Sequence, residues 1–376
     1  MSGRLESAID RIELYPFALP LKNPFKIATM TAHHAPNLLA CITTVGGVKG
    51  WGEASIMQSI NGETETTVMA AMKHLAEWLI GRDAREPVAL ATEMKSLLPG
   101  QNCAHCALEI ALWDCDSQIA NQPLWQRLGA KWRPLLTDMT ISAVSPEAAA
   151  TRGAELAGEG FKVIKLKIGT GVDEDTLRYQ ALRAALDKID PEIKIRLDAN
   201  QGYSRRAAHE AFGGSRFDGA EYCEQPLKRA DLEGMAWLSG FSRVPVMADE
   251  SAFNADDVMA IVRTNACPMV NLKLTKSGGI YGALQAAAVA EAGGLECMMG
   301  GMVESRIGVT AAGHAAASRG VFKYFDLDAH KDHAIDPIIG GMTYEDGFAH
   351  LPCIPGLGAH PDPDFLAKIS PLVVQS

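Results

Sequence analysis

Phe161 to Gly169, FKVIKLKIG, is the stretch on which the reading of the fold turns. Its alternation predicts a strand with Val163, Lys165 and Lys167 on one face and Ile164, Leu166 and Ile168 on the other. The apolar face suits packing under helices. The other face sets two ammonium groups one residue apart. A buried ammonium is penalised unless it is paired or gives up its proton. The pair is therefore either a solvated strand edge or a chemical device. Taken alone the stretch favours the edge, and the chain downstream reverses that.

Strand-like segments follow at 194–200 (KIRLDAN), 220–226 (AEYCEQP), 244–250 (VPVMADE) and 269–279 (MVNLKLTKSGG). The spacing of about 25 residues fits one strand, one helix and two short loops. These segments carry Asp198, Glu224, Asp249 and Lys273 toward their ends. In a parallel β/α barrel the C-terminal strand ends share one rim, and that rim carries the active site. Three acids meeting there repel one another unless a cation intervenes, and an all-oxygen donor set suits Mg²⁺. Helix capping would account for any one of the acids. It leaves Lys167, one strand before them, and Lys273, one strand after, unexplained.

These pieces together resemble the enolase superfamily, specifically its muconate-lactonizing-enzyme subgroup. The matching residues are KLK at 165–167, the carboxylates Asp198, Glu224 and Asp249, and NLKLTKSGG around Lys273. The resemblance spans nearly the whole chain. It implies a modified (β/α)7β TIM barrel with an α+β capping domain built from the N-terminal region and the C-terminal tail. It also implies a Mg²⁺ enolisation enzyme, with Lys167 and Lys273 as the two acid/base groups and Lys165 assisting Lys167. The expected division is 1–130 for the capping domain, 131–345 for the barrel and 346–376 for a tail returning to the cap.

A chain of 376 residues with 47% hydrophobic residues suits a barrel plus a smaller domain. The net charge of −10 argues against nucleic acid or an anionic membrane as partner. The opening MSGRLESAIDRIELY has no apolar core of a leader, and no apolar run is long enough for a bilayer, so a cytoplasmic protein is expected. A homo-oligomer stays open. Of the eight cysteines only Cys103 and Cys106 are close, and helix packing is the reading for them. Strands are expected at 9–19 and 37–44, mobile loops at 23–36 and 54–64, and helices near 64–80, 86–97 and 104–119. The first barrel strand is expected at 136–144.

A carbon acid beside a carboxylate ionises only with a suitable base and stabilisation of the enediolate. Lys165 beside Lys167, together with the metal, is expected to lower the base's pKa. Asn271 shares a face with Lys273 and is expected to orient it, and Asn200 is expected to support Asp198. Two lysines on opposite sides of one carbon permit inversion. On the last strand, VFKYFDLDAH, Asp326 and Asp328 point the same way. Within the subgroup this Asp-x-Asp resembles the element that holds the α-ammonium in dipeptide epimerases. The implied activity is therefore Mg²⁺-dependent epimerisation of a dipeptide's C-terminal residue. The alternatives are muconate cycloisomerase, o-succinylbenzoate synthase or N-acylamino acid racemase, whose substrates lack the ammonium; a catalytically inert barrel would have lost an acid or a lysine. Met302 and Glu304, in GGMVESRIG, are expected to face substrate. Met30 stands where Ala-Glu epimerases look to carry an arginine, so a small or hydrophobic side chain is expected in place of glutamate, with Ile27, Ile56 and Met57 extending the apolar surface and Lys22 and Lys26 as rival cations.

Overall fold

The structure is a computed structural model and describes residues 5–26 and 30–375. Eight parallel strands lie in chain order in one sheet: Met139–Ile141, Val163–Lys167, Lys194–Asp198, Ala220–Glu224, Val246–Ala248, Met269–Leu272, Glu296–Met299 and Phe322–Phe325. A parallel bridge between Thr137 and Phe325, with the Asp138 N–H donating to the Phe325 carbonyl at 3.2 Å, closes the sheet on itself. Each of the first seven strands leads into a helix, and the eighth leads only into a 3₁₀ turn, Ala329–Asp332. This is the expected (β/α)7β barrel. Side-chain oxygens mark helix starts at Ser145, Ser204, Asp231, Asn254 and Ser305, each accepting a backbone N–H from the first turn.

The two-residue period of the strands builds the barrel interior in layers. Tyr222, Met247, Met269 and Met298 form a buried apolar floor against which Tyr324 packs. Two residues further along the same strands come Glu224, Asp249, Asn271, Gly300 and Asp326. Charges above an apolar floor interact more strongly than they would in water.

The first barrel strand differs from the expected 136–144. It is the short strand Met139–Ile141 alone: Leu135–Leu136 pairs antiparallel with Phe348–His350 in a separate sheet, and Thr137 and Asp138 between them bond across the barrel closure.

A second sheet is antiparallel, in the order Leu372–Gln375, Ile9–Lys26, Thr31–Thr44, Lys49–Ser55. Helices Glu65–Leu79, Pro87–Leu97 and Asn102–Ile119 follow it. Gly52 sits so close to the last of these that a Cβ would come within 1.9 Å of the Ala107 carbonyl oxygen. The segment expected as a loop at 23–36 is largely strand: Phe25 pairs with Ala32 and Lys26 with Thr31. Polar residues there read as loop, but threonine and histidine sit readily on a two-stranded ribbon whose hydrogen bonds come from the partner strand. The segment at 54–64 holds a short helix, Gln58–Asn61. The chain end pairs with the first strand, Leu372 opposite Leu14 and Gln375 opposite Arg11. Cys103 and Cys106 lie buried inside Asn102–Ile119, and all eight cysteines are free. Among the described residues no helix is long and apolar enough to cross a membrane.

His314, fully buried in helix Arg306–Ala317, ties the barrel to two other segments. Its Nδ1 accepts from the Trp125 N–H at 3.0 Å, which leaves Nε2–H to donate to the Leu357 carbonyl at 3.1 Å. Burial pushes its pKa down to about 4. The unfolded chain takes up this proton near pH 6.5 and the folded chain only near 4, so stability is lost as pH falls through that window. Between pH 7 and 4.5 the loss from this residue is on the order of 2 kcal/mol. Urea midpoints at both pH values should show a correspondingly smaller drop in His314→Gln. An unchanged drop would remove this assignment.

Candidate active site

Both lysines of the strand Val163–Lys167 are buried, so the solvated-edge reading fails. Lys165 Nζ lies 2.7 Å from Glu224 Oε2, 2.8 Å from Asp326 Oδ2 and 3.2 Å from Asp198 Oδ2. Lys167 Nζ lies 2.6 Å from Asp198 Oδ2. The turn after the strand is pinned by the buried Asp175 carboxylate, which accepts from the N–H groups of Gly169, Thr170 and Gly171 and from the Tyr203 hydroxyl. Gly169 has φ +91°, and a Cβ on it would lie 2.4 Å from the Ala199 carbonyl oxygen. Only glycine meets both conditions.

Sheet register sets Lys167 beside Asp198 and Asp198 beside Glu224. Asp249 follows Val246–Ala248 on the next strand, its Oδ2 3.0 Å from Lys273 Nζ. Residues just past the acids turn left-handed: Asn200, Gln201 and Gln225 all have positive φ. Asn200 donates its backbone N–H to Asp198 Oδ1 at 2.9 Å, and its side-chain amide to Glu250 Oε1 at 3.4 Å. Asn271 does not orient Lys273. It donates to Glu224 Oε1 and so fixes the middle acid, because its strand lies two away from Glu224 around the closed barrel.

Charge balance follows from these contacts. Burial, with Asp198 beside it, pushes Glu224 up to about 8 against the pull of Lys165. Burial opposes ionisation of Asp249, yet Lys273 and Lys276 hold it well below the usual carboxylate range. Lys165 is held above the usual ammonium value: burial works against the charge, and Asp326, Glu224 and Asp198 outweigh it. The nearest charged partners of Lys165 are thus acids on three other strands.

Asp198, Glu224 and Asp249 offer only oxygen from three successive strand ends, with ammonium groups balancing them. That donor chemistry and placement fit a hard dication such as Mg²⁺. A different trio is the one that stands closest together. Asp138, Asp326 and Asp328 have oxygens all within 4.8 Å of one another, the one such set among the described residues.

One pocket opens over this rim. Lys167, Lys273, Asn200, Asp326, Asp328 and Met302 line it, and Leu21, Met57 and Ile60 close it from the antiparallel-sheet side. Met30 is not part of its wall; it lines a neighbouring groove with His33, His34 and Ile56, and Met57 belongs to both. Ile27 lies outside the described residues. Glu304 is also not in the wall, because it turns back to accept the Met302 N–H and so shapes the loop that presents Met302. Lys22 is engaged away from the pocket, donating to the Lys331 carbonyl at 2.8 Å.

Sequence reasoning missed two residues. Lys276 is buried, contacts both the carboxylate and the carbonyl of Asp249, and donates to the Asn271 carbonyl at 3.0 Å. Its place three residues after Lys273 was the available signal. Asp138, in LTDMTISAV, receives Arg196 Nη1 at 2.8 Å, and no local pattern marked it.

Residues 11–129 match the family described as mandelate racemase / muconate lactonizing enzyme, N-terminal domain, and residues 148–365 match the enolase C-terminal domain-like family. The chain is similar to an L-Ala-D/L-Glu epimerase of Bacillus subtilis, at 37% identity over 93% of this chain and 96% of that protein. It is similar to a D-Ala-D/L-Ala epimerase of Cytophaga hutchinsonii, at 34% identity over 97% of this chain and 99% of that one. A crystal structure of a dipeptide epimerase from Cytophaga hutchinsonii, complexed with Mg and the dipeptide D-Ala-L-Val, superposes with a TM-score of 0.94 at 34% identity, covering 98% of this chain and 100% of that one. The rim chemistry, the barrel with its second sheet and these likenesses agree, and the chain belongs to the muconate-lactonizing-enzyme subgroup of the enolase superfamily.

Proposed function

We propose that this protein is a Mg²⁺-dependent dipeptide epimerase that inverts the C-terminal residue of an L,L-dipeptide. The observation that carries the reading is a single pocket lined by Lys167, Lys273, Asp326 and Asp328 together. Bases on two strands of the barrel serve inversion, and an acidic pair beside them serves a free ammonium. The relatives named above are dipeptide epimerases by name, and one holds Mg and a dipeptide.

In this reading Asp198, Glu224 and Asp249 hold the metal, which supplies positive charge where the substrate's carboxylate gains electrons. Asp326 and Asp328 receive the α-ammonium and set the Cα between the lysines. The lysine on the hydrogen's face, starting neutral, takes the proton, and the C–H electron pair passes into the carboxylate. The lysine on the other face, starting as ammonium, returns a proton there. Lys165, bridging Asp198, Glu224 and Asp326, ties the metal side of the pocket to the ammonium side. Residues 1–130, with the tail 346–376, form the cap over the 131–345 barrel.

The pocket also has an apolar lining: Met57, Ile60, Met302 and Val303. A substrate carboxylate placed there finds no cation among the lining residues other than the two lysines given to the chemistry. A small or hydrophobic C-terminal residue is therefore favoured over glutamate, with the apolar role belonging to Met57 more directly than to Met30. The test is a dipeptide library incubated with Mg²⁺ in D₂O, read for deuterium at Cα. Hydrophobic L-Ala-L-Xaa should exceed L-Ala-L-Glu in kcat/KM by about 10-fold or more, and N-acetylated forms should lose about 100-fold or more. A clear win for L-Ala-L-Glu overturns the side-chain preference. Equal turnover of acetylated and free dipeptides overturns the assigned substrate class.

A further inference from the structure

Asp138 is fully buried, 188 residues away in sequence from Asp326, and has no part in the proton transfer above. Its Oδ2 is taken by Arg196 Nη1 at 2.8 Å. Its Oδ1 has no hydrogen-bond partner among the described residues. Asp138, Asp326 and Asp328 offer oxygens within 4.8 Å of one another. Asp328 is itself anchored by the Thr140 N–H, which donates to its Oδ2 at 2.7 Å.

Positive charge near this trio is shared with other acids. Arg196 also pairs with Glu221 at 2.7 Å, and Lys165 also pairs with Glu224 and Asp198. The two cations paired directly with this trio, Arg196 and Lys165, are thus committed elsewhere as well. Burial, then Asp326, push Asp138 up to about 7 against Arg196, and burial raises Asp328 too. Among the described residues no cation pairs with these three carboxylates alone.

A primary ammonium has three N–H donors at tetrahedral angles. With each N···O distance about 2.9 Å, the three acceptors stand roughly 4.7 Å apart. Resting on the dipeptide reading above, we infer that Asp138, Asp326 and Asp328 form a three-armed receptor that selects a primary α-ammonium, one carboxylate for each N–H. Deep burial does not bar Asp138 from this role, for Asp198 and Glu224 are as deeply buried at the proposed metal site. Arg196 holds the third arm in place from behind. A receptor of two acids would satisfy a secondary ammonium, which keeps two donors. A receptor of three leaves one carboxylate unanswered in the low-dielectric site, and that is penalised.

The experiment uses the Mg²⁺-loaded protein with L-Ala-L-Leu and its N-methyl and N,N-dimethyl derivatives, which keep the charge while removing donors one at a time. The readout is kcat/KM for deuterium uptake at Cα. In the original protein the first methyl group should lower it by about 30-fold or more. Asp138→Asn keeps the side-chain volume and replaces an acceptor, so the ratio of free to N-methyl substrate should fall to about threefold or less, whereas a simple clash with the methyl would leave the ratio high. N-methyl turnover within threefold of the parent in the original protein overturns the inference, whether or not the variant folds. An unchanged ratio in a folded Asp138→Asn also overturns it. Absence of exchange with every dipeptide tried would instead remove the epimerase reading itself.

Discussion

Lys167→Ala and Lys273→Ala are each expected to abolish epimerisation, with losses of about 10³–10⁴-fold in kcat. Both side chains are buried, both line the same pocket, and they come from strands separated by the three acid-bearing ones. Loss of one should not affect both stereoisomers alike. The remaining lysine still faces one side of the Cα, so it can remove and return the proton of the isomer that presents hydrogen to it. Exchange in D₂O should then persist with either the L,L or the L,D substrate in one variant, and with the opposite isomer in the other, while net inversion stops in both. Circular dichroism confirming the fold, combined with isomer-resolved mass spectrometry, makes the measurement. Inversion at an ordinary rate in either variant would end the two-base assignment. Loss of exchange with both isomers in both folded variants would place the lysines in binding rather than on opposite faces.

The second large effect is expected at Glu224, the middle acid. It is fully buried between Asp198 on one neighbouring strand and Asp249 on the other, and receives both Lys165 and Asn271. Glu224→Gln removes one of the three anionic donors while nearly keeping the volume. Mg²⁺ affinity by titration calorimetry should fall about 100-fold or more, and turnover should fall with it. Without metal the outcome should differ in sign from ordinary core damage. Removing one of three mutually repelling buried carboxylates costs little, so the melting temperature of the metal-free variant should equal or exceed that of the original protein. Mn²⁺-substituted crystals give an independent check: the anomalous signal should lie among Asp198, Glu224 and Asp249. A signal elsewhere, or unchanged affinity in the variant, would overturn the metal assignment.

The rim was legible because its signal is local and repeated. FKVIKLKIG alternates, and the charged strand ends recur at one β/α unit's spacing. Lys167, Asp198 and Glu224 accordingly lie side by side in register, and Lys273 follows Met269–Leu272 as expected. The misreadings share one cause. The 23–36 segment looks like a loop by composition, but its strand state comes from a partner across a hairpin. Asn271 shares a strand with Lys273, yet its bond goes to Glu224 across the barrel interior. Glu304 stands among small residues in a loop, and only folding shows it turned back onto the Met302 N–H.

The sequence by itself therefore determined the barrel, the order of the charged rim and the chemistry those charges suit. A two-residue strand period and a steady β/α repeat carry side chains to one face and one end before any long-range contact is considered. Tertiary structure decided what closes around them. Barrel closure at Thr137 and Phe325 carries Asp138 to Asp326 and Asp328. Packing of the second sheet and its helix brings Leu21, Met57 and Ile60 over the lysines. Folding of the Leu274–Ser277 turn buries Lys276 against Asp249. None of these contacts has a period, because each joins segments whose separation along the chain is unrelated to their separation in space.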